Sequence, residues 1–401
     1  MNRGNTDFHM QLLTNIAYTS STLFVPVYAS EIGANSAEIG AIVASYSVAL
    51  LLSNYTFGRL SDMYGRRPIL AAGLLFASLM AFMQLEALSP PALLAVRFLL
   101  GLSAGSSSSL IAYAMDLKRD LGYFSSIAAL GSAIGQGFAG VALYLFAGRI
   151  IGHSILAPVF IMSSLLLFVA FAFSLKSGYV RQNASGRVKF FPPGVFSGGR
   201  AAYISLAIRH FGATSIWAIF PLFCLALTPA SYSYGLRLSL VASIYVLNSV
   251  VQMLAMRFLT RGLAHRTLVL WGIVLSALTF FSFTLVRNFS ELAATQLLLG
   301  VGWSFMYVGG LGYVVERSSS RGASAGMLAS FMAMSGIGGP IAGGAIAGGA
   351  ASLLGPGNAG GYAAVMYFAA TATAAAAILF YLMEFRMSRR PAKSKGSATG
   401  R

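Results

Sequence analysis

The sequence predicts an all-α membrane protein with twelve transmembrane helices in two six-helix, pseudo-symmetric halves. Of the 401 residues, 57% are apolar and only 9% are charged, whereas about a quarter of a soluble domain is charged. The apolar residues gather in segments of about 20 residues, the length that a helix needs to cross a bilayer. One long polar interruption divides these segments into six plus six.

Twelve apolar segments with sparse charge follow one another along the chain. They are residues 8–30, 36–58, 68–87, 91–115, 123–147 and 154–175 before the interruption, and 201–227, 235–256, 267–286, 289–314, 322–350 and 361–384 after it. They are too long and too continuously apolar for the alternating strands of a barrel. A backbone in lipid also needs internal hydrogen-bond partners, so each segment is predicted as a helix. The first segment lacks a small-residue cleavage pattern and is predicted as a retained helix rather than a signal peptide.

The longest polar connection contains two consecutive prolines, several glycines and several basic residues. It separates the predicted units of the chain. These units are an N-terminal half at 1–175, a cytoplasmic central loop at 176–200, a C-terminal half at 201–384 and a basic cytoplasmic tail at 385–401.

The two halves are related by an offset of 199 residues. Leu99-Leu100-Gly101 recurs as Leu298-Leu299-Gly300, and Gly73 recurs as Gly272. These matches keep the same order along the chain, which indicates an internal repeat. Repeats of this kind imply two helical domains around a cavity at mid-membrane.

Membrane topology explains the excess of basic residues, 27 Lys and Arg against 10 Asp and Glu. With the N-terminus in the cytoplasm, all but five of the 27 fall on the cytoplasmic side, as the positive-inside rule requires. The five others are Arg97, Arg149, Arg209, Arg237 and Arg287. The sequence therefore predicts a multi-pass plasma-membrane protein with both termini cytoplasmic. Nucleic acid is not needed to explain the charge, although the tail is expected to attract anionic lipid weakly.

The turn after the second segment carries a recognisable motif. Gly58, Asp62, Gly65, Arg66 and Arg67 stand in register in the stretch GRLSDMYGRRP. This stretch resembles the signature between the second and third helices of the major facilitator superfamily. Two further stretches resemble other signatures of that family, the fourth-helix motif and the loop before the eleventh helix. They are Arg97-Phe98-Leu99-Leu100-Gly101 with Gly105, and Glu316-Arg317 with Arg321-Gly322.

This resemblance covers essentially the whole chain. It implies the major facilitator fold, transport by alternating access, and a gating role for the first motif. The chemistry of the motif suits a latch, because Gly58 and Gly65 allow close backbone approach or positive φ. Asp62, near a helix end, can accept bonds from backbone amides or arginines. The alternative is that the arginines of this stretch are only positive-inside anchors. The second half has Arg261 and Ala264 at the corresponding positions, so the predicted latch is asymmetric.

A glycine motif marks the eleventh segment. Gly339, Pro340, Gly343 and Gly344 reproduce the Gly-Pro-x-x-Gly-Gly pattern that antiporters of the superfamily carry in the fifth helix. The fifth segment here has Gln136 where the proline would be, which weakens an antiporter interpretation. Small residues let helices pack closely, so helix packing is the favoured interpretation, together with a kink at Pro340 that would serve gating.

Polar residues inside apolar spans predict a lined cavity, because such residues normally face the interior of a helical bundle. Helical spacing places several of them on common helix faces. The predicted cavity residues are Asn15, Tyr18, Arg97, Gln136, Arg209, His210, Trp217, Tyr245, Asn248, Gln252, Gln296, Trp303 and Tyr307. For any one of them, a hydrogen bond between helices explains the position equally well. The whole set favours a pathway lined by amides, hydroxyls and aromatic rings.

Two arginines lie inside spans, whereas no carboxylate lies clearly at mid-span. A buried guanidinium stays charged and needs an anion, water or carbonyls around it. Either the substrate carries an anionic group that meets Arg97 or Arg209, or Arg97 serves structure or coupling and Arg209 faces the inner mouth of the cavity. The candidates for proton coupling are Arg97, Asp116 and His210. The sequence fits a proton-coupled carrier and a simple facilitator alike.

Other function classes lack their required residues. A membrane transferase needs clustered carboxylates or a nucleophile with its base, and an ATP-driven pump needs a phosphate-binding loop. The acidic residues are scattered singly and no Walker-type stretch is present, so no enzyme, metal or cofactor is predicted. The single cysteine, Cys224, is interpreted as a core residue.

A secondary transporter is therefore the predicted function. Export of small organic molecules is the first choice, because a cavity rich in aromatic residues and Met suits adaptable apolar contacts. The alternative is uptake or exchange of a small anionic metabolite, suggested by the two arginines. The expected partners are a small-molecule substrate, the lipid bilayer and, for a coupled carrier, protons. The protein is expected to be a monomer.

Overall fold

The computed structural model describes residues 6–117, 121–146, 154–176, 195–317, 321–354 and 359–388. Within these ranges the chain forms fifteen α-helices and a π-helical turn. The N-terminal group consists of α1 (Thr6–Thr22), α2 (Val25–Glu31), α3 (Ser36–Tyr64), α4 (Arg66–Met83), α5 (Pro90–Ala104), α6 (Ser107–Asp116), α7 (Leu121–Leu145) and α8 (Ala157–Ser174). The C-terminal group consists of α9 (Val195–Trp217), α10 (Phe220–Ala226), α11 (Tyr234–Leu254) with the π-helical turn Ala255–Leu259, α12 (His265–Ser282), α13 (Phe289–Glu316), α14 (Arg321–Leu354) and α15 (Ala359–Ser388).

Each predicted apolar segment lies on helix, but three of them are divided. The first segment forms α1 and α2, the fourth forms α5 and α6, and the seventh forms α9 and α10. Proline stands in the first turn of α2 and of α10, at Pro26 and Pro221. Proline lacks an amide N–H and is best tolerated in the first turn of a helix, which explains these two breaks. By contrast, α14 runs as one helix through Pro340.

The helices are long and apolar enough for a multi-pass membrane protein. Among the described residues, 9 helices could each cross a membrane by length and composition, and the pair α9 and α10, bent by 47°, makes a tenth. The number of twelve crossings stays a prediction, because it also counts the shorter helices of the first and fourth segments.

Two helices extend past the boundaries predicted for the central loop and the tail. Helix α9 begins at Val195, so the last residues of the predicted loop 176–200 are helical. Helix α15 ends at Ser388, so the first residues of the predicted tail 385–401 are helical as well. Apolar composition marks the part of a helix that lies in lipid, whereas backbone hydrogen bonding continues beyond it. The rest of the loop and of the tail lies outside the described residues.

Three hydrophobic cores organise the bundle. One core contains buried residues of both helix groups, and we call its end of the bundle the shared end. Its members include Phe24, Tyr28, Leu143, Phe160, Phe220, Val241 and Val365. The other two cores lie at the opposite, separate end, and each belongs to one group. The N-terminal one includes Leu70, Leu74, Phe124 and Leu167, and the C-terminal one includes Tyr203, Ile273, Met306 and Phe380.

Two helix pairs join the groups. Helix α3 packs on α14, where the carbonyl oxygen of Pro340 lies only 2.3 Å from the position that a Cβ at Gly40 would take. Helix α7 packs on α11, where the Ser239 hydroxyl donates to the carbonyl oxygen of Gly140 at 2.6 Å. Both contacts lie in the half of the bundle nearer the shared end.

Equivalent contacts recur in the two groups at the predicted offset of 199. Helices α4 and α12 have 18 residues each and start 199 positions apart. A Cβ at Gly101 would meet the side chain of Ala49, and one at Gly300 would meet the carbonyl oxygen of Asn248. The repeated sequence positions therefore make helix contacts of the same kind, α3 with α5 and α11 with α13.

Candidate functional site

The predicted gating motif forms the turn between α3 and α4. Gly65 connects the two helices with φ 94°, a conformation that favours glycine. Arg67 donates from Nη2 to the carbonyl oxygen of Leu175, just beyond α8. Gly58 and Asp62 lie on α3, and their surroundings fall outside the described residues. The predicted role of Asp62 as a latch is therefore untested.

The second half has its own positive-φ glycine at the corresponding turn. Gly262 has φ 76°, two residues before Ala264, which the offset pairs with Gly65. The turn in the second half therefore keeps its glycine with a shifted register. At the start of α12, Nδ1 of His265 lies 2.7 Å from the Glu316 carboxylate.

Arg97 is buried in the N-terminal group, with 1% of its surface exposed. Its guanidinium lies over the ring of Tyr46 on α3, 4.4 Å from the centroid. Its Nε and Nη1 atoms have no hydrogen-bond partner. A cation over an aromatic face gains electrostatic attraction but no neutralising charge. Among the described residues, no carboxylate therefore neutralises the charge of Arg97 inside the first helix group.

Arg209 is equally buried in the C-terminal group, with 1% exposed. Its Nε and Nη2 donate to the Ser276 hydroxyl of α12 at 3.0 and 2.8 Å, and Nη1 has no partner. The guanidinium carbon lies 5.4 Å from the ring centroid of Phe280 and 5.3 Å from that of Trp303. Within the described part of the chain, neither Arg97 nor Arg209 forms an ion pair.

An aromatic row extends from this arginine along α13. The His210 ring lies 5.6 Å from Trp303, and Trp303 stacks on Tyr307 at 6.1 Å with an interplanar angle of 12°. Nδ1 of His210 is buried without a partner, whereas Tyr307 is 40% exposed. Four predicted cavity residues therefore meet in one place, from a buried cation to an exposed ring.

A second aromatic cluster lies at the shared end. Trp217 contacts Phe220 at 4.9 Å and Tyr245 at 5.6 Å, between α9, α10 and α11. Phe220 also packs on Phe283, just after α12, at 5.2 Å. This cluster belongs to the shared core, so Trp217 and Tyr245 take part in closing that end of the bundle.

Two predicted cavity amides bind to each other, and one of them also reaches the backbone of a third predicted residue. Gln252 donates from Nε2 to Oδ1 of Asn248 at 2.5 Å, and Asn248 donates from Nδ2 to the carbonyl oxygen of Gln296 at 3.5 Å. Gln296 is fully buried between α11 and α13. The contact of Asn248 with Gln296 joins two helices, as in the alternative interpretation, although Oε1 of Gln296 has no partner among the described residues.

The other predicted cavity residues lie at helix contacts. Gln136 accepts a hydrogen bond from the Ser249 hydroxyl at 2.8 Å, which links the two helix groups. Asn15 donates to the carbonyl oxygen of Gln11 within α1. Tyr18 is half-buried and its hydroxyl has no partner. Of the coupling candidates, Asp116 ends α6 with a side chain outside the described part of the structure.

The Gly-Pro-x-x-Gly-Gly stretch lies where α14 contacts α9 and α3. A Cβ at Gly339 would lie 2.0 Å from Oγ1 of Thr214, one at Gly343 2.1 Å from the carbonyl oxygen of Ser215, and one at Gly344 2.3 Å from that of Ser36. Only glycine fits these three positions without displacing its neighbours.

Several residues that contribute to these sites were not predicted from the sequence. Tyr46, Ser276 and Phe280 contact the two arginines, yet serine and aromatic residues are common throughout the spans. One signal was available for Tyr46, because the offset of 199 pairs it with Tyr245. Glu31 and Tyr234, which bond to each other at 2.9 Å across the two groups, were also missed. Among the described residues, no group of three or more His, Cys, Asp or Glu is placed to hold a metal ion.

Comparisons with known proteins agree with this architecture. The family model of the Major Facilitator Superfamily matches residues 9–196. Multidrug resistance protein 1 of Bacillus subtilis is 25% identical over 359 residues, 83% of this chain and 88% of that protein. The class B tetracycline resistance protein of Escherichia coli is 27% identical over 339 residues, 80% of this chain and 81% of that protein.

The match of residues 9–196 to the family model, together with these relatives, supports a transporter of the major facilitator superfamily. A crystal structure of the nucleoside transporter NupG has the same fold, with a TM-score of 0.75 and 15% identity over 96% of this chain and 99% of that one. The family match and the apolar helices of the described residues support a multi-pass membrane protein of the small-molecule transporter kind. The family resemblance stated from the sequence motifs is confirmed.

Proposed function

We propose that this protein exports small organic molecules by alternating access, with two six-helix halves, 1–175 and 201–384, rocking about a site at mid-membrane. The observation that carries the proposal is the arrangement of the three cores. The groups share one core at one end, whereas each has a core of its own at the other end. Rigid bodies joined at only one end can close there and part at the other, which is what alternating access requires.

The repeated contacts support the division into two halves. Equal lengths of α4 and α12, with the matched packing of Gly101 and Gly300, make the groups equivalent at the level of helix contacts. Counting each broken segment as one crossing gives twelve spans. On this proposal α2 and α10 are the outer parts of the first and seventh crossings.

The separate end is proposed to face the cytoplasm. The basic turn of Arg66 and Arg67 and the start of α9 with Arg200 lie there, and the positive-inside rule favours the cytoplasm for such residues. The shared end then faces outward, and the structure corresponds to a state closed to the outside.

Aromatic lining and named relatives support export as the direction and organic molecules as the cargo. His210, Trp303 and Tyr307 offer flat surfaces that accept varied apolar bodies. The two curated relatives with multidrug and tetracycline resistance names cover four fifths of this chain or more.

A second candidate function is uptake or exchange of a small anionic metabolite. The specific observation that favours it is the pair of buried, unpaired guanidinium groups, Arg97 and Arg209. An anionic cargo would neutralise a charge that the described residues leave alone.

Flux across inverted membrane vesicles tests the direction. Export appears there as accumulation inside the vesicle, so we expect lipophilic fluorescent compounds to accumulate in vesicles that contain the protein and not in vesicles without it. A protonophore that abolishes accumulation would identify a proton-coupled carrier, whereas equilibration without a gradient would identify a facilitator.

The two candidate functions give opposite results in this assay. Accumulation of small organic anions by right-side-out vesicles, with no accumulation of lipophilic compounds by inverted ones, would replace export by uptake. The absence of any flux in either orientation, for a protein that is folded and membrane-inserted, would contradict both.

A further inference from the structure

One guanidinium nitrogen of Arg209 is buried and has no hydrogen-bond acceptor among the described residues. Two of its nitrogens are held by the Ser276 hydroxyl at 3.0 and 2.8 Å, which fixes the plane of the guanidinium. Nη1 is buried and has no partner. The side chain as a whole is 99% buried, at 1% relative exposure. A charged donor that is held in position and lacks an acceptor is ready to bind one.

The acceptor that binds Nη1 of Arg209 must carry negative charge. A guanidinium stays protonated in proteins, and a charge removed from water is strongly unfavourable unless a counter-charge meets it. Among the described residues, the acceptor for the Arg209 donors is the neutral hydroxyl of Ser276, and no carboxylate pairs with Arg209. An anion that binds here replaces the lost hydration.

The adjoining rings define the rest of the ligand. Trp303 lies 5.3 Å from the guanidinium carbon, and Tyr307 stacks on Trp303 one turn further along α13. On the surface of α13, Tyr307 lies between the side that contacts His210 and the side where Ser304 bonds to Gln252 of α11 at 3.0 Å. A path therefore runs from the exposed ring of Tyr307, over Trp303, to the buried guanidinium of Arg209.

The other buried arginine lacks this setting. Arg97 rests on Tyr46, and no ring stacks on Tyr46 within the described residues, although Tyr18 lies close enough to interact with it electrostatically. His210, beside Arg209, adds a second unpartnered nitrogen, Nδ1. Arg209 is thus the arginine with both a polar neighbour to share a carboxylate and an aromatic surface to hold a ligand body.

We propose that Arg209 and His210 bind the carboxylate of an aromatic organic anion whose flat ring lies against Trp303 and Tyr307. This inference rests on the proposed transport of small organic molecules and names their chemical class. The carboxylate accepts from Nη1 of Arg209, and the ring takes the offset-stacked position that aromatic pairs prefer. The same site takes aromatic carboxylates in either direction of transport.

Binding to the purified full-length protein in detergent is the test. The probes are benzoate, its neutral analogue benzamide, its non-aromatic analogue acetate, and chloride. Because a ligand of the folded form raises the unfolding temperature, we expect saturable stabilisation by benzoate and much weaker effects from the other three. Loss of a charge-assisted hydrogen bond in Arg209→Gln should weaken benzoate binding about ten- to a hundredfold.

Matched variants test the roles of the Arg209 charge and of the Trp303 ring separately. Arg237→Gln is the control, since Arg237 also donates to a hydroxyl, that of Thr228 at 2.8 Å, but lies at the shared end away from the site. It should leave benzoate binding unchanged. Trp303→Leu keeps the cation, so it should weaken benzoate binding while acetate binding is unaffected. Arg209→Lys should lose less affinity than Arg209→Gln, and it covers the case in which the glutamine variant fails to fold.

Specific results would overturn the assignment. They are equal stabilisation by benzamide and benzoate, an unchanged benzoate affinity in Arg209→Gln, and chloride or acetate binding as strongly as benzoate, which would indicate a site for small anions only. Absence of benzoate binding to the wild-type protein would also overturn it. Flux of lipophilic compounds in vesicles tests the proposed function separately, so flux without benzoate binding rejects only this inference.

Discussion

Single glycines decide how closely helix α7 approaches α1. A Cβ at Gly135 would lie 2.4 Å from the carbonyl oxygen of Ile16, which is backbone and cannot swing away. Two residues on, a Cβ at Gly137 would meet only a methyl of Val246 at 3.8 Å, an ordinary contact. The same substitution therefore has opposite consequences within less than one helical turn.

Gly135→Ala is expected to destabilise the protein by about 1–3 kcal/mol, the usual result of overpacking. Gly137→Ala should be neutral or slightly stabilising, because alanine favours helix over glycine. Thermal unfolding of both variants in the same detergent provides the measurement. Equal unfolding temperatures for the two variants would mean that α1 and α7 can move apart without lowering the stability of the protein.

At this scale the sequence predicted the charged members of the site better than their neighbours. Arg97 and Arg209 stand out because a charge inside an apolar span is rare and must face protein. Ser276, which holds Arg209, is one of many serines that bond to their own helix. Asn248 and Gln296 are buried where two helices meet, and sequence spacing cannot distinguish a cavity from a neighbouring helix.

At the scale of helices, a polar tie crosses between the groups at the shared end. The Glu31 carboxylate, at the end of α2, accepts from the Tyr234 hydroxyl at the start of α11 at 2.9 Å. Its other oxygen accepts from Ser154, just before α8, at 2.8 Å. One carboxylate thus holds two elements of its own group and one of the other. If the shared end opens during transport, the bond to Tyr234 must break.

Tyr234→Phe removes only the bonding hydroxyl and should favour opening of the shared end. The readout is the rate at which an impermeant maleimide added outside labels Ser239→Cys, in a Cys224→Ala background. A lost hydrogen bond of about 0.5–1.5 kcal/mol corresponds to labelling about two- to tenfold faster. Tyr232→Phe is the control, because Tyr232 is exposed and its hydroxyl has no hydrogen-bond partner among the described residues. Equal labelling rates with Tyr234→Phe and with Tyr234 retained would mean that this hydrogen bond does not hold the shared end closed.

The contact of α14 with α3 gives a second prediction at this scale. A Cβ at Gly344 would lie 2.3 Å from the carbonyl oxygen of Ser36, whereas one at Gly348, a turn further, would lie 3.8 Å from the Ser36 Cβ. Gly344→Ala should therefore keep the groups apart at the shared end, lower the transport rate and speed labelling of Ser239→Cys. Gly348→Ala should transport at the wild-type rate, and a defect equal in both variants would contradict this account.

The apolar pattern predicted where helices lie but not where they break. All twelve segments are helical, yet a run of apolar residues has the same composition on both sides of Pro26 or Pro221. The turns show a similar limit, because Ala264 was paired with Gly65 by counting, and the structure gives the positive φ to Gly262. A repeat aligned by number cannot register a shift of two residues inside a turn.

At the scale of the whole molecule, the three cores divide the protein into two bodies and one junction. Ser47 of α3 and Gly336 of α14 face each other across this junction, on the side towards mid-membrane. A Cβ at Gly336 would lie 3.7 Å from the Cβ of Ser47, within the separation that a disulfide requires. A bond between these residues would fix the groups in the state that the structure represents.

The double variant Ser47→Cys and Gly336→Cys, in a Cys224→Ala background, should cross-link under mild oxidation and stop transport, and a reductant should restore it. Ser78→Cys with Ser164→Cys is the matched control, because these hydroxyl oxygens lie 3.3 Å apart within one group. A bond inside one body does not oppose rocking, so this variant should transport whether oxidised or reduced. Full transport by the cross-linked first pair would mean that the two groups do not move against each other at this junction. Arrest by both pairs would mean that the motion lies within each group rather than between them.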